Sequence, residues 1–294
     1  MKKEIFKFPS KLKGHSIHAV IIKPETEVIG LVQIIHGFAE HIGRYEAFMS
    51  FLAKEGYLVF GDDHLGHGLT AKSAEDLSDV GSYQALEPIL EDEKELNNIV
   101  RSRYPSDLPC IILGHSMGSL ILRALLGKYP DLCDKAIIMG TSDMPPLLLK
   151  IFGAILNLYK IFRPGDYRSK TINYLGIGKY NNSFKNTQTI NDWLAKNPEN
   201  IERYNKDKLC GAPGSLHTFY FLRQIMALIR DDSHLAKMNQ ELPVLFASGQ
   251  QDAFGDFGKG VCKVKQLFKD AGMKEISCKL YPEMRHEILN EKNA

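Results

Sequence analysis

Gly114-His115-Ser116-Met117-Gly118 is the segment of this chain best suited to chemistry. It fits Gly-x-Ser-x-Gly, in which small flanking residues allow a sharp turn that lifts a serine hydroxyl clear of the backbone. A serine hydroxyl is a poor nucleophile at neutral pH. It needs a general base, and the base needs an acid to orient it. The second half of the chain offers both. Asp252 ends Ser248-Gly249-Gln250-Gln251-Asp252, with Asp256 as its competitor, and His286 lies in Tyr281-Pro282-Glu283-Met284-Arg285-His286-Glu287.

Such a set works only if regular elements hold it. Before the serine runs Cys110-Ile111-Ile112-Leu113, short and apolar, which reads as a buried parallel strand. After it runs Ser119–Leu126, a good helix former. The helix N-terminus then lies under any negative charge that develops at the serine. Upstream, residues 15–24 and 29–35 read as strands, Tyr45–Glu55 as a helix, and Tyr57–Phe60 as a strand followed by a loop. Glu87–Arg103 reads as a helix with Pro88 in its first turn. Ala136–Met139 is the next strand. The alternation resumes with helix Ser215–Arg230, strand Pro243–Ala247, helix Lys259–Asp270 and strand Ile276–Tyr281. Apolar strands alternating with helices predict an α/β fold: a mostly parallel sheet with helices on both faces. Residues 141–214 break the pattern and are expected to form an inserted helical cap. Residues 1–140 and 215–294 are expected to form one core.

On this framework Asp252 and His286 follow the C-terminal ends of predicted strands, where such sheets place their sites. Asp252 is preferred to Asp256 because it is nearer its strand end. Among ten histidines, His286 alone follows the last strand. Ser, Asp, His is the chain order of the triad in the α/β-hydrolase fold. The oxyanion needs two fixed donors. One is expected from the backbone N–H of Met117. The other is expected from the loop His36-Gly37-Phe38-Ala39-Glu40-His41, at Phe38. His36, His41 and Arg44 read as anchors of that loop rather than as catalysts.

The run His36-Gly37-Phe38-Ala39-Glu40-His41-Ile42-Gly43-Arg44-Tyr45 resembles the His-Gly-x-x-Glu-His-x-x-Arg-Tyr signature of monoacylglycerol lipases and lysophospholipases, a serine aminopeptidase S33-type branch of the α/β-hydrolases. Asp63-His64-Leu65-Gly66-His67-Gly68 and Gly114–Gly118 match that branch too, in the same order. The likeness extends from strand 15–24 to Glu287. It implies a serine esterase of lipids, a carboxylesterase acting on monoacylglycerol or lysophospholipid, with triad Ser116, Asp252, His286 and oxyanion donors Phe38 and Met117. It implies no cofactor. The segment Ala253-Phe254-Gly255-Asp256 departs from the family's regular pattern. The chain also ends eight residues after His286, where members usually continue into a helix that packs on the sheet. Apolar surface beside the His286 loop is therefore expected, with lower stability or self-association.

Within the predicted cap, Pro145–Phe162 is strongly apolar, with Lys150, Asn157 and Lys160 on one narrow stripe. Ser142 or Asp143 is expected to cap this helix. Two lysines and an asparagine argue against a membrane span. The segment reads either as a helix buried on the core or as a lid touching lipid, with Leu148, Ile151 and Ile155 as substrate contacts and transient contact with a membrane surface.

Other classes fit less well. A net charge of +2 and no strongly basic stretch give no basis for a nucleic-acid partner. The charged start, Met1–Lys7, does not read as a signal peptide. Five scattered cysteines suggest free thiols in a reducing, cytoplasmic setting. His64-x-x-His67 beside Asp62 and Asp63 hints at a metal, but no second cluster has ligand spacing, so no metal is expected. Two rivals share the fold: a proline-aminopeptidase type of peptidase, which would need an acidic anchor in the cap, and a disabled binding protein.

Overall fold

The computed structural model describes residues 1–292. Eight strands form one sheet in the order β1-β2-β4-β3-β5-β6-β7-β8. They are β1 (Lys2–Pro9), β2 (Ser16–Lys23), β3 (Gly30–Ile35), β4 (Tyr57–Asp63), β5 (Cys110–His115), β6 (Lys135–Met139), β7 (Val244–Gly249) and β8 (Ile276–Tyr281). β1 and β2 pair antiparallel, and β2 pairs antiparallel with β4. All further pairings are parallel. The helices are α1 (Glu46–Lys54), α2 (Leu86–Arg101), α3 (Met117–Lys128), α4 (Pro146–Phe162), α5 (Lys170–Gly176), α6 (Pro198–Lys206), α7 (Leu216–Leu228), α8 (Asp232–Leu235) and α9 (Lys259–Asp270). None is long and apolar enough to cross a membrane.

The elements follow from residue pattern. β3 and β5 are buried along almost their whole length, as central parallel strands must be. The sheet carries two cores. The larger lies under α2, α3, α7 and α9 and includes Leu31, Ile112, Leu122, Phe221, Phe246 and Phe268. The smaller lies on the other face, with Val32, Ile34, Leu113, Met49 of α1 and Ile288. This second face is thinly covered: Ile111, Ile137 and Tyr281 are only half-buried.

Several expectations need correction. β1 was not expected, because its alternating Lys, Glu, Ile and Phe look like a charged lead-in. As an edge strand it needs only partial burial, and its register with β2 runs from Lys2 opposite Lys23 to Pro9 opposite Ser16. β4 runs on through Asp62 and Asp63, which the sequence suggests are loop. Asp63 is held there by backbone N–H groups of Ile42 (2.9 Å) and Leu69 (2.7 Å) and by His18. Neither Ser142 nor Asp143 caps α4. The helix starts at Pro146 with Pro145 as its cap. The Ser142 carbonyl instead accepts from Arg123 (2.9 Å), and Asp143 pairs with Arg230.

Candidate active site

Ser116 sits at the β5–α3 junction with φ 54° and ψ −117°. This left-handed conformation costs a non-glycine residue about 1–3 kcal/mol, and the surroundings must impose it. They do so through the flanking glycines. A Cβ on Gly114 would lie 2.3 Å from the Gly118 carbonyl oxygen, and one on Gly118 would lie 2.0 Å from that of Ile35. Strand and helix can cross this closely only with both side chains absent. The turn holds the serine at the N-terminus of α3, where peptide dipoles favour negative charge.

The structure brings Asp252 and His286 together. Asp252 lies just past β7 and is fully buried. Its Oδ2 stands 2.9 Å from His286 Nδ1. Burial opposes ionisation of Asp252, yet His286 and the N–H groups of Gly255 and Phe254 hold its carboxyl below the usual range. A carboxylate at Nδ1 fixes the proton there and leaves Nε2 as the unprotonated nitrogen. His286 Nε2 is buried and has no hydrogen-bond partner among the described residues. Asp256, the competing acid, is exposed and bonds to no histidine among the described residues.

The β3 loop closes over the serine. A Cβ on Gly37 would stand 3.1 Å from Ser116 Cβ. Among the described residues, the N–H groups of Phe38 and Met117 have no acceptor. His36 stiffens the Gly37–Phe38 peptide. Its Nε2 accepts from the His64 N–H (3.1 Å), so Nδ1 carries the proton and donates to the Gly37 carbonyl at 2.7 Å. Burial, together with His64 and His67, keeps His36 neutral by holding its pKa well below the ordinary value.

One part of the site was not legible in the sequence. Glu40 accepts from the Gly37 N–H (2.6 Å), the Tyr45 hydroxyl (2.7 Å) and Arg44. Arg44 also grips Glu287 with two bonds, at 2.6 and 2.7 Å. Arg44 therefore ties the oxyanion loop to the residue after His286 through carboxylates, not through the backbone. Burial disfavours charge on Glu40 and Glu287, but the Arg44 guanidinium keeps both ionised, Glu40 well below the carboxylate range. The only local signal for Glu287 was its place beside His286. His41 anchors by pairing with Asp207 at 2.8 Å.

The site opens into a cavity of about 660 Å³, within the usual size for small-molecule sites. Its walls include Phe152, Tyr180, Trp193, Phe219, Leu222 and Met226. Leu148, Ile151 and Ile155 do not reach it. Leu148 and Ile151 are about half exposed on the outer side of α4, and the cavity takes Phe152 from this helix instead. Asp62, His64 and Glu93 converge under the oxyanion loop. His64 Nδ1 is 2.9 Å from Glu93 Oε1. Metal–ligand bonds near 2.0–2.2 Å in a tetrahedral shell would hold these atoms roughly 3.4 Å apart. The His64–Glu93 spacing is that of a hydrogen bond, while His64 Nδ1 stands 3.5 Å from Asp62 Oδ1.

Residues 26–293 match the family described as serine aminopeptidase, S33. The chain belongs to that family. The hydrolase is 26% identical to a monoacylglycerol lipase of Mycolicibacterium smegmatis, over 91% of this chain and 85% of that protein. It is 25% identical to the monoglyceride lipase of Rattus norvegicus, over 92% of this chain and 84% of the relative. Among solved structures, a thermostable carboxyl esterase of Bacillus coagulans, in complex with glycerol, superposes with TM-score 0.90 at 29% identity. It covers 100% of this chain and 94% of the esterase. A soluble variant of Saccharomyces cerevisiae monoglyceride lipase superposes with TM-score 0.75 at 19% identity, over 100% of this chain and 91% of that one, which shows the shared α/β-hydrolase fold.

Proposed function

We propose that the hydrolase cleaves the carboxylic ester of a lipid with a small head group, a monoacylglycerol or lysophospholipid, through an acyl-enzyme. The carrying observation is the joint one: a strained serine, a buried Asp–His pair and two free backbone donors meet at the floor of a largely apolar cavity. Ser116 attacks the ester carbonyl while His286 Nε2 takes its proton. Asp252 holds the imidazole and stabilises its charged form. Phe38 and Met117 N–H groups receive the oxyanion. His286 returns the proton to the leaving alcohol, and water then releases the fatty acid by the same steps.

The peptidase reading lacks its anchor. Among the described residues, the carboxylates lining the cavity are Glu40 and Glu287, and both are engaged by Arg44. Residues 141–214 serve as the cap, and α4 meets the lipid surface. Leu147, Leu148, Ile151, Leu158, Ile161 and Phe162 are all 49–72% exposed. A cytoplasmic setting accords with five cysteines that form no disulfide.

The test is hydrolysis of a chain-length series of monoacylglycerols and lysophospholipids, with Ser116→Ala and labelling by a fluorophosphonate as controls. Serine-dependent hydrolysis that favours a defined acyl length is the expected result. A folded protein inert toward every lipid ester would overturn the reading.

A further inference from the structure

α7 presents one stripe to the cavity, Phe219, Leu222, Arg223 and Met226, at helical spacing. Phe219 lies beside the oxyanion loop, its ring 6.3 Å from that of Phe38. Arg223 comes one turn further on, half-buried, on a stretch of cavity wall it shares with Leu222, Met226 and Phe152. Its Nε is buried without an acceptor, and no carboxylate pairs with it among the described residues. Arg230 on the same stretch of chain differs, since Asp143 pairs with it.

The surrounding charge is not balanced elsewhere in the cavity. Arg168 also lines it and donates only to carbonyl oxygens, those of Pro213 and Glu75. Lys170 lines it without an ion pair among the described residues. The lining carboxylates Glu40 and Glu287 are held by Arg44. The fold also makes room for Arg223. Gly153 lies mid-way along α4, where glycine costs about 1 kcal/mol relative to alanine. A Cβ there would stand 2.6 Å from Arg223 Nε. A guanidinium in apolar surroundings is favourable when an anion meets its fork, and phosphate and carboxylate match that fork in two parallel bonds.

We infer that the cavity accepts an ester bearing an anionic group, phosphate or carboxylate, which docks on the Arg223 guanidinium. This rests on the esterase reading above and narrows its substrate class to anionic amphiphiles. The anion has two possible sources: a phosphate on the head group or a carboxylate at the far end of the acyl chain.

Two matched pairs separate these sources. One compares a monoacylglycerol with the same monoacylglycerol phosphate. The other compares a fatty-acid methyl ester with the monomethyl ester of the dicarboxylic acid of equal length. For each pair, the ratio of kcat/KM, anionic over neutral, is measured for the native enzyme, Arg223→Gln and Arg223→Lys, with melting curves confirming that all three fold. The expected result is a ratio of at least ten in one pair, a loss of at least tenfold of that preference in Arg223→Gln, and partial recovery in Arg223→Lys. Ratios near one in both pairs, or a preference that survives Arg223→Gln, would overturn the inference. Calorimetry on Ser116→Ala with decyl phosphate and decanol keeps the two proposals separable. Selective decyl phosphate binding that Arg223→Gln abolishes, with no hydrolysis of any ester, upholds the anion site and overturns the esterase reading. Hydrolysis without selective binding does the reverse.

Discussion

α3 and α4 are both strongly apolar in sequence, and the fold uses them in opposite ways. In α3 every residue from Met117 to Gly127 is buried. In the longer α4 only Leu149, Gly153 and Leu156 are buried. The polar stripe of α4, Lys150, Asn157 and Lys160, is exposed, but its last two members reach α7 and the loop before α2. Asn157 accepts from the Tyr220 hydroxyl, and Lys160 lies over the rings of Tyr83 (4.3 Å) and Tyr220 (5.3 Å). Apolar side chains also lie on the outer face, where Leu147, Leu148, Ile151, Leu158, Ile161 and Phe162 are exposed. One helix is a wall of the core that carries Ser116 at its N-terminal tip. The other is a surface whose apolar side chains have no protein partner, which suits a lipid interface.

The contrast makes predictions of decreasing size. Gly118→Val should abolish folding, because its new side chain would collide with the Ile35 carbonyl. Ile121→Ser, in the buried face of α3, should cost about 3–5 kcal/mol in denaturant unfolding. Stable, soluble protein from either would break the comparison. Asp252→Asn should leave the melting curve in place but lower kcat roughly 10³–10⁴-fold, because His286 loses the partner that sets its tautomer. A loss below tenfold would shift the acid role elsewhere. Ile151→Ser combined with Phe162→Ser should change stability by about 0.5 kcal/mol or less. The same pair should weaken hydrolysis of vesicle-bound ester several-fold and spare a soluble short-chain ester. Equal loss on both substrates would place this face inside the substrate path.

The last effect concerns pH. Glu93 is pushed up to about 8, first by burial and then by Asp62, with His64 opposing. A carboxyl whose folded pKa exceeds its unfolded value binds more protons when folded. Its contribution is full below the unfolded pKa and is lost as pH rises from about 4.5 through about 8. Glu93→Gln should therefore flatten the fall in unfolding free energy between pH 6 and 9, by up to about 3 kcal/mol. An unchanged slope would show that Glu93 does not titrate there.

Much of the frame was legible because it depends on local pattern. The glycines around Ser116, the apolar runs of β3 and β5, and the limits of α9 and β8 follow from spacing and composition. The left-out parts depend on contacts that sequence spacing cannot express. Arg44 and Glu287 are 243 residues apart. α4 has the same periodicity whichever of its apolar residues face the core, so the exposure of Leu148 and Ile151 could not be read from spacing. Asp62 and Asp63 read as loop because the groups that hold Asp63, His18 on β2 and the N–H groups of Ile42 and Leu69, stand at no regular spacing from it. β1 gains its order from pairing with β2 and not from its own burial.

The most direct test of the central claim is rapid-quench mass spectrometry of the hydrolase with a 4-nitrophenyl fatty ester. A covalent acyl group mapped to Ser116, absent in Ser116→Ala and accumulating in a pre-steady-state burst, is the predicted result. Turnover with no acyl adduct, or with the adduct on another residue, would contradict it.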